Sequence, residues 1–139
     1  MARPRGGVAS FAISAVDTAL WDLRGNANGR LLREMAGGAA NGTKTYCGGL
    51  ELNFSTDKLL ANAQSYIDRD FNAAKIKVGH NNLTEDVERV RAVREMIGAE
   101  IAFMVDATYA LSVSKSIEAA NALKPYDILW FEEPTIPDD

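Results

Sequence analysis

Lys75 and Lys77 stand one residue apart in Ala73-Ala74-Lys75-Ile76-Lys77-Val78, a run that otherwise reads as a short buried strand. Lysine is among the residue types least often buried, and side chains two apart on a strand share a face. Further along, Asp106 follows Phe103-Met104-Val105, and Glu132-Glu133 stand between Trp130-Phe131 and Pro134. These residue types can do chemistry together. Two neighbouring carboxylates make a hard oxygen site suited to Mg²⁺, which often uses few protein ligands and keeps water or substrate oxygens. Lys75 and such a metal would both disfavour a charged Lys77, lowering its pKa towards that of a useful base. A metal that holds an enolate beside a tuned lysine can remove a proton next to a carboxylate. Each feature alone has a plainer reading. The lysines could be solvated guards of an edge strand, Asp106 a cap for the next turn, and Glu132-Glu133 a solvated loop start.

The elements around these residues decide whether they meet. Strands are expected near 44–50, 73–78, 101–106 and 127–132, with starts separated by 29, 28 and 26 residues. Between them run three helical patterns. The first is capped by Ser55 or Thr56 and carries Leu59, Leu60, Ala63 and Ile67. The second starts near Thr84 with Glu85 and Asp86 in its first turn, where the helix dipole favours them, carries Val87, Val90, Val93 and Ile97, and ends at Gly98. The third opens at Ser112 or Ser114 and carries Ile117, Ala120 and Leu123. Strand and helix alternating at that pitch imply βαβ units and a parallel sheet. Before them, Ile13, Val16, Leu20 and Leu23 recur at helical spacing, with Ser10 expected as N-cap and Gly25 as the stop. A short helix is expected around Arg30 to Ala36, ending at Gly37-Gly38, and Asn41-Gly42 reads as a turn.

A doubly wound sheet and a (β/α)8 barrel both suit this order. No Gly-x-Gly-x-x-Gly follows the first strand, so the dinucleotide fold loses its best argument. In a barrel, function gathers at the C-terminal ends of the strands. Lys77, Asp106 and Glu132 lie at three successive strand ends, 29 and 26 residues apart. Each separation is one βα unit, so all three are expected at one rim on adjacent strands. The fold expected is α/β, the first four βα units of a TIM-type barrel. A complete barrel typically needs about 250 residues, so the 139-residue chain reads as part of a larger protein.

Composition narrows the remaining classes. The formal net charge is -4, which does not indicate a nucleic-acid surface. Cys47 is the only cysteine, which excludes an internal disulfide and fits a reducing cytoplasm. No run approaches the roughly 18 apolar residues of a membrane span, and the basic Met1–Gly7 segment lacks the apolar run of a secretory signal. A cytoplasmic protein is expected. His80, the only histidine, reads as a solvated loop residue, and Trp21 and Trp130 read as packing residues. Tyr109 is open between a substrate contact and a lid over the rim.

Taken together, these segments resemble a known family. Ser14-Ala15-Val16-Asp17-Thr18-Ala19-Leu20-Trp21-Asp22-Leu23 is similar to the helix that closes the capping domain in the mandelate racemase and muconate-lactonising branch of the enolase superfamily. Lys75-Ile76-Lys77-Val78-Gly79, Glu85 to Glu95, Val105-Asp106-Ala107 and Trp130-Phe131-Glu132-Glu133-Pro134 follow in that family's order and spacing. The resemblance implies residues 1–43 as the last helices of an α+β capping domain with a linker, and 44–139 as the first half of the barrel. It implies Lys77 as the catalytic base, Lys75 as its partner near the substrate carboxylate, and Asp106 and Glu132 as Mg²⁺ ligands, since sites of this superfamily pair a Lys or His base with Mg²⁺. Thr108 stands where relatives often carry Asn, and is a candidate substrate contact. The third metal ligand and the opposing acid or base are implied on later strands.

The activity implied is proton abstraction next to the carboxylate of an acid sugar or hydroxy acid, ending in dehydration. Racemisation, epimerisation or cycloisomerisation share the same first step. From a different class, the chain could be a catalytically inert fragment that self-associates, since a half barrel exposes two strand edges. A homo-oligomer is expected in either case.

Overall fold

The computed structural model describes residues 7–39 and 41–136. The basic segment before Gly7 and the Pro137-Asp138-Asp139 end, both read above from sequence, lie outside the described residues. The chain divides into two compact units between Thr43 and Lys44.

The first unit holds α1 (Val8–Asn28) and α2 (Leu32–Met35). Neither expected boundary of α1 holds. Gly7, not Ser10, is the N-cap, and Gly29 in a left-handed conformation (φ 59°) ends the helix. Gly25 lies within α1 and is buried because the returning chain crosses it. Arg30 N donates to the Gly25 carbonyl at 3.0 Å, and a Cβ at 25 would stand 3.0 Å from the Arg30 carbonyl oxygen. The glycine signal is therefore a close approach rather than a stop. Glu34 Oε2 accepts from Leu31 N at 3.1 Å, satisfying one free donor at the start of α2. Phe11, Ile13, Val16, Leu20 and Leu23 of α1 are all exposed. Asn41-Gly42 forms no defined turn; residues 41–46 run without regular structure.

The second unit is β1 (Cys47–Leu50), α3 (Thr56–Ile67), β2 (Ala73–Lys77), α4 (Leu83–Ile97), β3 (Ala102–Asp106), α5 (Val113–Leu123), a 3₁₀ turn at Lys124–Tyr126 and β4 (Ile128–Glu132). β1 is shorter than expected, since Lys44 to Tyr46 make no ladder. Local chemistry explains the helix starts: Ser55 Oγ accepts from Lys58 N, and Asn82 Oδ1 accepts from Thr84 N.

All strand pairs are parallel, in the order β1-β2-β3-β4 with no reversal. Right-handed crossovers that always step the same way lay every helix on one face, which is the barrel's arrangement; a doubly wound sheet would reverse. Ala74 and Ile76 of β2 with Val78 just beyond it, and Phe103 and Val105 of β3 with Ala107 just beyond it, pack there against Leu59 and Ala63 of α3, Val90, Val93 and Ile97 of α4, and Leu123 of α5. The alternate side chains of β2 and β3, among them Lys75, Lys77, Met104 and Asp106, take the opposite face.

Both outer strands break strict alternation. Cys47 and Leu50 are both buried in the core although three apart, with Gly48 and Gly49 (φ 76°) between them. On β4, Ile128 pairs with Phe103 and Phe131 with Val105, so Leu129 and Trp130 oppose Met104 alone. This extra residue is a β-bulge. Two arginines of α4 fasten the ends of the sheet. Arg94 donates to the carbonyls of Tyr126, Gly98, Ile101 and Asp127 at 2.8–2.9 Å. The buried Arg89 donates to the carbonyls of Glu51 (3.0 Å) and Phe54 (2.6 Å), fixing the loop after β1. No helix among the described residues is long and apolar enough to cross a membrane.

Gly79 joins β2 to the loop before α4 with φ 113°, and a Cβ there would stand 2.9 Å from Ala110 Cβ. Gly79→Ala combines a disfavoured backbone with a clash, so it should cost roughly 1–3 kcal/mol. Denaturant unfolding of the variant against the wild type measures this, and an unchanged midpoint would refute it.

Candidate active site

The register of the sheet sets the geometry. Lys77 pairs with Asp106, and Asp106 pairs with Glu132, so the three sit in one row at the C-terminal rim. Strict alternation from Ile128 would turn Glu132 towards the helices; the bulge in β4 returns it to the lysine face.

Across that row the charges interlock. Lys77 Nζ lies 2.7 Å from Asp106 Oδ2, and Lys75 Nζ lies 2.6 Å from Glu132 Oε2 and 3.6 Å from Asp106 Oδ2. Two ammonium groups and two carboxylates thus balance. Lys75 and Asp106 keep only 14% and 6% of side-chain exposure, so the pairing offsets a real desolvation cost. Burial would raise the Asp106 carboxyl, but Lys77 together with the backbone N–H and hydroxyl of Thr108 holds it below the usual carboxylate range. Lys75 chiefly, with Trp130, holds Glu132 low as well. Burial would lower the Lys75 ammonium, yet the Glu132 carboxylate and the Tyr46 hydroxyl raise it above the ordinary lysine value.

Thr108 belongs to this cluster. Its backbone N–H (2.9 Å) and hydroxyl (3.1 Å) donate to Asp106 Oδ1, and the hydroxyl accepts from Lys77 Nζ at 2.5 Å. These bonds help hold a β-branched residue at φ 47°, a region costly for it. Tyr109 (φ 62°) follows in the same region, and Glu133 (φ 45°) faces the loop from the end of β4. Ala107 N, Tyr109 N and Leu111 N donate to the carbonyls of Glu132, Glu133 and Pro134 at 3.0, 2.8 and 3.1 Å, which carries the ladder past the strands. The Tyr109 hydroxyl donates to Glu133 Oε1.

Several side chains do otherwise than their types suggested. Trp130 is not simply a packing residue: its indole Nε1 donates to Glu132 Oε2 at 3.1 Å, and its ring meets Tyr46 edge-on at 5.8 Å. Lys75 Nζ lies 5.0 Å from the centre of the Tyr46 ring. His80 is not a freely solvated loop residue, since its Nδ1 lies 2.6 Å from Oδ1 of the buried Asp86. Asp86 Oδ2 also accepts from Gly79 N (2.8 Å) and His80 N (3.0 Å), anchoring the loop after Lys77. The spacing Trp130-x-Glu132 carried a signal for the first contact; nothing local announced Tyr46.

Asp106 and Glu132 are hard oxygen donors on adjacent strands at one rim, and two carboxylates with water or substrate oxygens are a set that Mg²⁺ accepts. Among the described residues, no group of three or more His, Cys, Asp or Glu side chains could hold a metal ion. The donors present fit the ion and would supply part of its shell.

Comparison with known proteins places this geometry in a family. Residues 58–139 match the enolase C-terminal domain-like family. The chain is 46% identical over 135 residues to the 3,6-anhydro-alpha-L-galactonate cycloisomerase of Streptomyces coelicolor, covering 97% of the chain and 37% of that protein. The crystal structure of a racemase from Streptomyces coelicolor with bound magnesium superposes with a TM-score of 0.86 at 46% identity, covering 98% of this chain and 38% of that one. L-Talarate dehydratase from Polaromonas, complexed with Mg and L-glucarate, gives 0.79 at 32% identity, covering 94% and 37%. The chain therefore spans a little over a third of the relatives it matches.

The depressed carboxyls carry a pH signature. Groups whose folded pKa is lowered add stability that is complete above their unfolded value, about pH 4, and lost as pH falls through the lower folded value. Raised Lys75 adds stability that is complete below about pH 10 and lost as pH rises through its folded value. Asp106→Asn should therefore flatten the fall of stability between about pH 5 and pH 2. Denaturant midpoints across that range measure the slope, and parallel curves for variant and wild type would contradict the assignment. With this rim, this parallel sheet and these relatives, the chain belongs to the enolase superfamily, in its mandelate racemase and muconate-lactonising branch.

Proposed function

We propose that the chain carries part of the site of a Mg²⁺-dependent enzyme that takes the proton next to a substrate carboxylate, and that an acid-sugar dehydratase is the activity. The observation that carries the reading is the row Lys77, Asp106, Glu132 in register at one rim, with Lys75 between the carboxylates. Relatives solved with magnesium support it.

Asp106 and Glu132 would hold Mg²⁺, which when bound supplies charge to steady the enolate oxygens. The lysine contacts to Asp106 Oδ2 and Glu132 Oε2 would have to loosen as the ion enters. Lys75 would then offer its positive charge to the substrate carboxylate. Lys77, neutral and released from Asp106 and Thr108, would accept the α-proton at Nζ, while the C–H electron pair moves onto the carboxylate. Collapse of that pair would expel the oxygen on the β-carbon, which would leave as water with a proton from the opposing acid expected on later strands. Thr108 is proposed to hold Lys77 and to touch substrate. Residues 1–43 are proposed to belong to the end of a capping domain with its linker, and 44–139 to the first half of the barrel. We also propose a homo-oligomer, with the outer edges of β1 and β4 covered by further strands or by a second copy.

A second reading has one specific support, the 46% identity to a cycloisomerase acting on an anhydro-sugar acid. Were the β-oxygen part of a ring ether, the same enolate would open the ring instead of losing water.

Acid sugars deuterated next to the carboxylate, incubated with the intact protein and Mg²⁺, test the proposal. Loss of deuterium with formation of a 2-keto-3-deoxy acid is expected, and release of water from an open-chain substrate separates dehydration from ring opening. Absence of any exchange or turnover across both substrate types would favour an inert chain.

Lys77→Ala should slow exchange by about 10²–10⁴-fold, the usual share of a general base. Lys77→Arg should fail equally, since guanidinium stays protonated. Retained exchange in either variant, followed by NMR, would leave Lys77 with a structural role only.

A further inference from the structure

Glu132 Oε2 receives two donors, the Lys75 ammonium at 2.6 Å and the Trp130 indole N–H at 3.1 Å. Among the described residues, Oε1 of the same carboxylate receives no hydrogen bond. Asp106 differs, because Thr108 takes its Oδ1 and Lys77 its Oδ2. The two donors on Glu132 are also unequal. Lys75 hangs on a flexible stem and its ammonium touches both carboxylates. Trp130 is held by an edge-on contact with Tyr46, and the bulge turns it, together with Glu132, to the lysine face.

We propose that Trp130 is a positioning residue: its indole N–H fixes the rotation of the Glu132 carboxylate through Oε2 and leaves Oε1 free for a divalent cation. The inference rests on the reading of Asp106 and Glu132 as Mg²⁺ ligands. Were Mg²⁺ to displace the Lys75 ammonium from Glu132, Trp130 would remain as the donor that keeps the carboxylate from turning. Groups that orient a metal ligand in this way typically contribute 10–100-fold in metal affinity.

Mg²⁺ titration of the intact protein by calorimetry, without substrate, tests this. Four forms are compared: wild type, Glu132→Gln, Trp130→Phe, and a protein in which residue 130 is a tryptophan analogue with sulfur in place of the ring N–H. The analogue preserves ring outline and the Tyr46 contact, so it decides the matter should Trp130→Phe fail to fold. The expected result is 10–100-fold weaker Mg²⁺ binding for both residue-130 variants, with the analogue melting like the wild type. If Glu132→Gln loses the ion while the analogue binds it like the wild type, the inference falls and the metal site stands. Weakened binding in Trp130→Phe alone would assign the effect to packing and overturn the N–H role. Undiminished binding in Glu132→Gln would overturn both the metal site and the role given to Trp130.

Discussion

Two lysines and two carboxylates sit against one another at the rim of a parallel sheet, and neither pair could persist there without the other. Lys75 and Asp106 are largely removed from water, where an isolated charge would cost several kcal/mol. Lys75, Lys77, Asp106 and Glu132 come from three strands, so the balance exists only while β2, β3 and β4 hold their register. A single-residue slip would send every one of these side chains to the helix face. The apolar packing behind the sheet can thus be viewed as the support that keeps four charges in place.

That support is asymmetric by design of the chain. Every crossover helix lies on one face, so the other is available for polar groups. Phe103, Val105, Ile76 and Leu59 give the rear its density, while α4 supplies two arginines that tie loops at opposite ends of the sheet. Arg94 gathers carbonyls from the C-terminal end of α4 and from the residues just before β3 and β4, where helix and turn would otherwise leave acceptors unpaired. Arg89 does the same for the loop after β1, although among the described residues its buried Nε finds no partner.

Backbone strain gathers where the charges are. Thr108, Tyr109 and Glu133, none of them glycine, share positive φ within the two loops that follow β3 and β4. Hydrogen bonds between those loops over-determine the conformation, and the Asp106 carboxylate takes part in it through Thr108. Such concentration of disfavoured backbone is common at functional sites. It also gives Thr108 a physical meaning: a residue at this position must both tolerate φ 47° and hand a hydrogen bond to Asp106, tasks that Asn or Asp perform with less strain than a β-branched side chain.

By itself the sequence determined that strands and helices alternate at a near-constant pitch, and that Lys77, Asp106 and Glu132 end successive strands. Periodicity and spacing are local properties, and one βα unit between charged residues leaves little choice about the rim they reach. The helix caps at Ser55, Asn82 and Ser112 were within two residues of legible for the same reason. Position along the chain could not reveal how β4 meets β3. Regular alternation would set Glu132 on the face of Ile128 and away from the lysines. The bulge that corrects this arises because both Ile128 and Phe131 bury against the helices, which is decided by tertiary packing. Tyr46 and Trp130 meet across a sheet from positions 84 residues apart, and His80 finds Asp86 only once α4 has folded back. Even Gly25, read locally as a stop, is a glycine because Arg30 returns against it. The sequence carried the chemistry's ingredients; long-range packing chose their faces, because a side chain's direction depends on which of its neighbours must leave water.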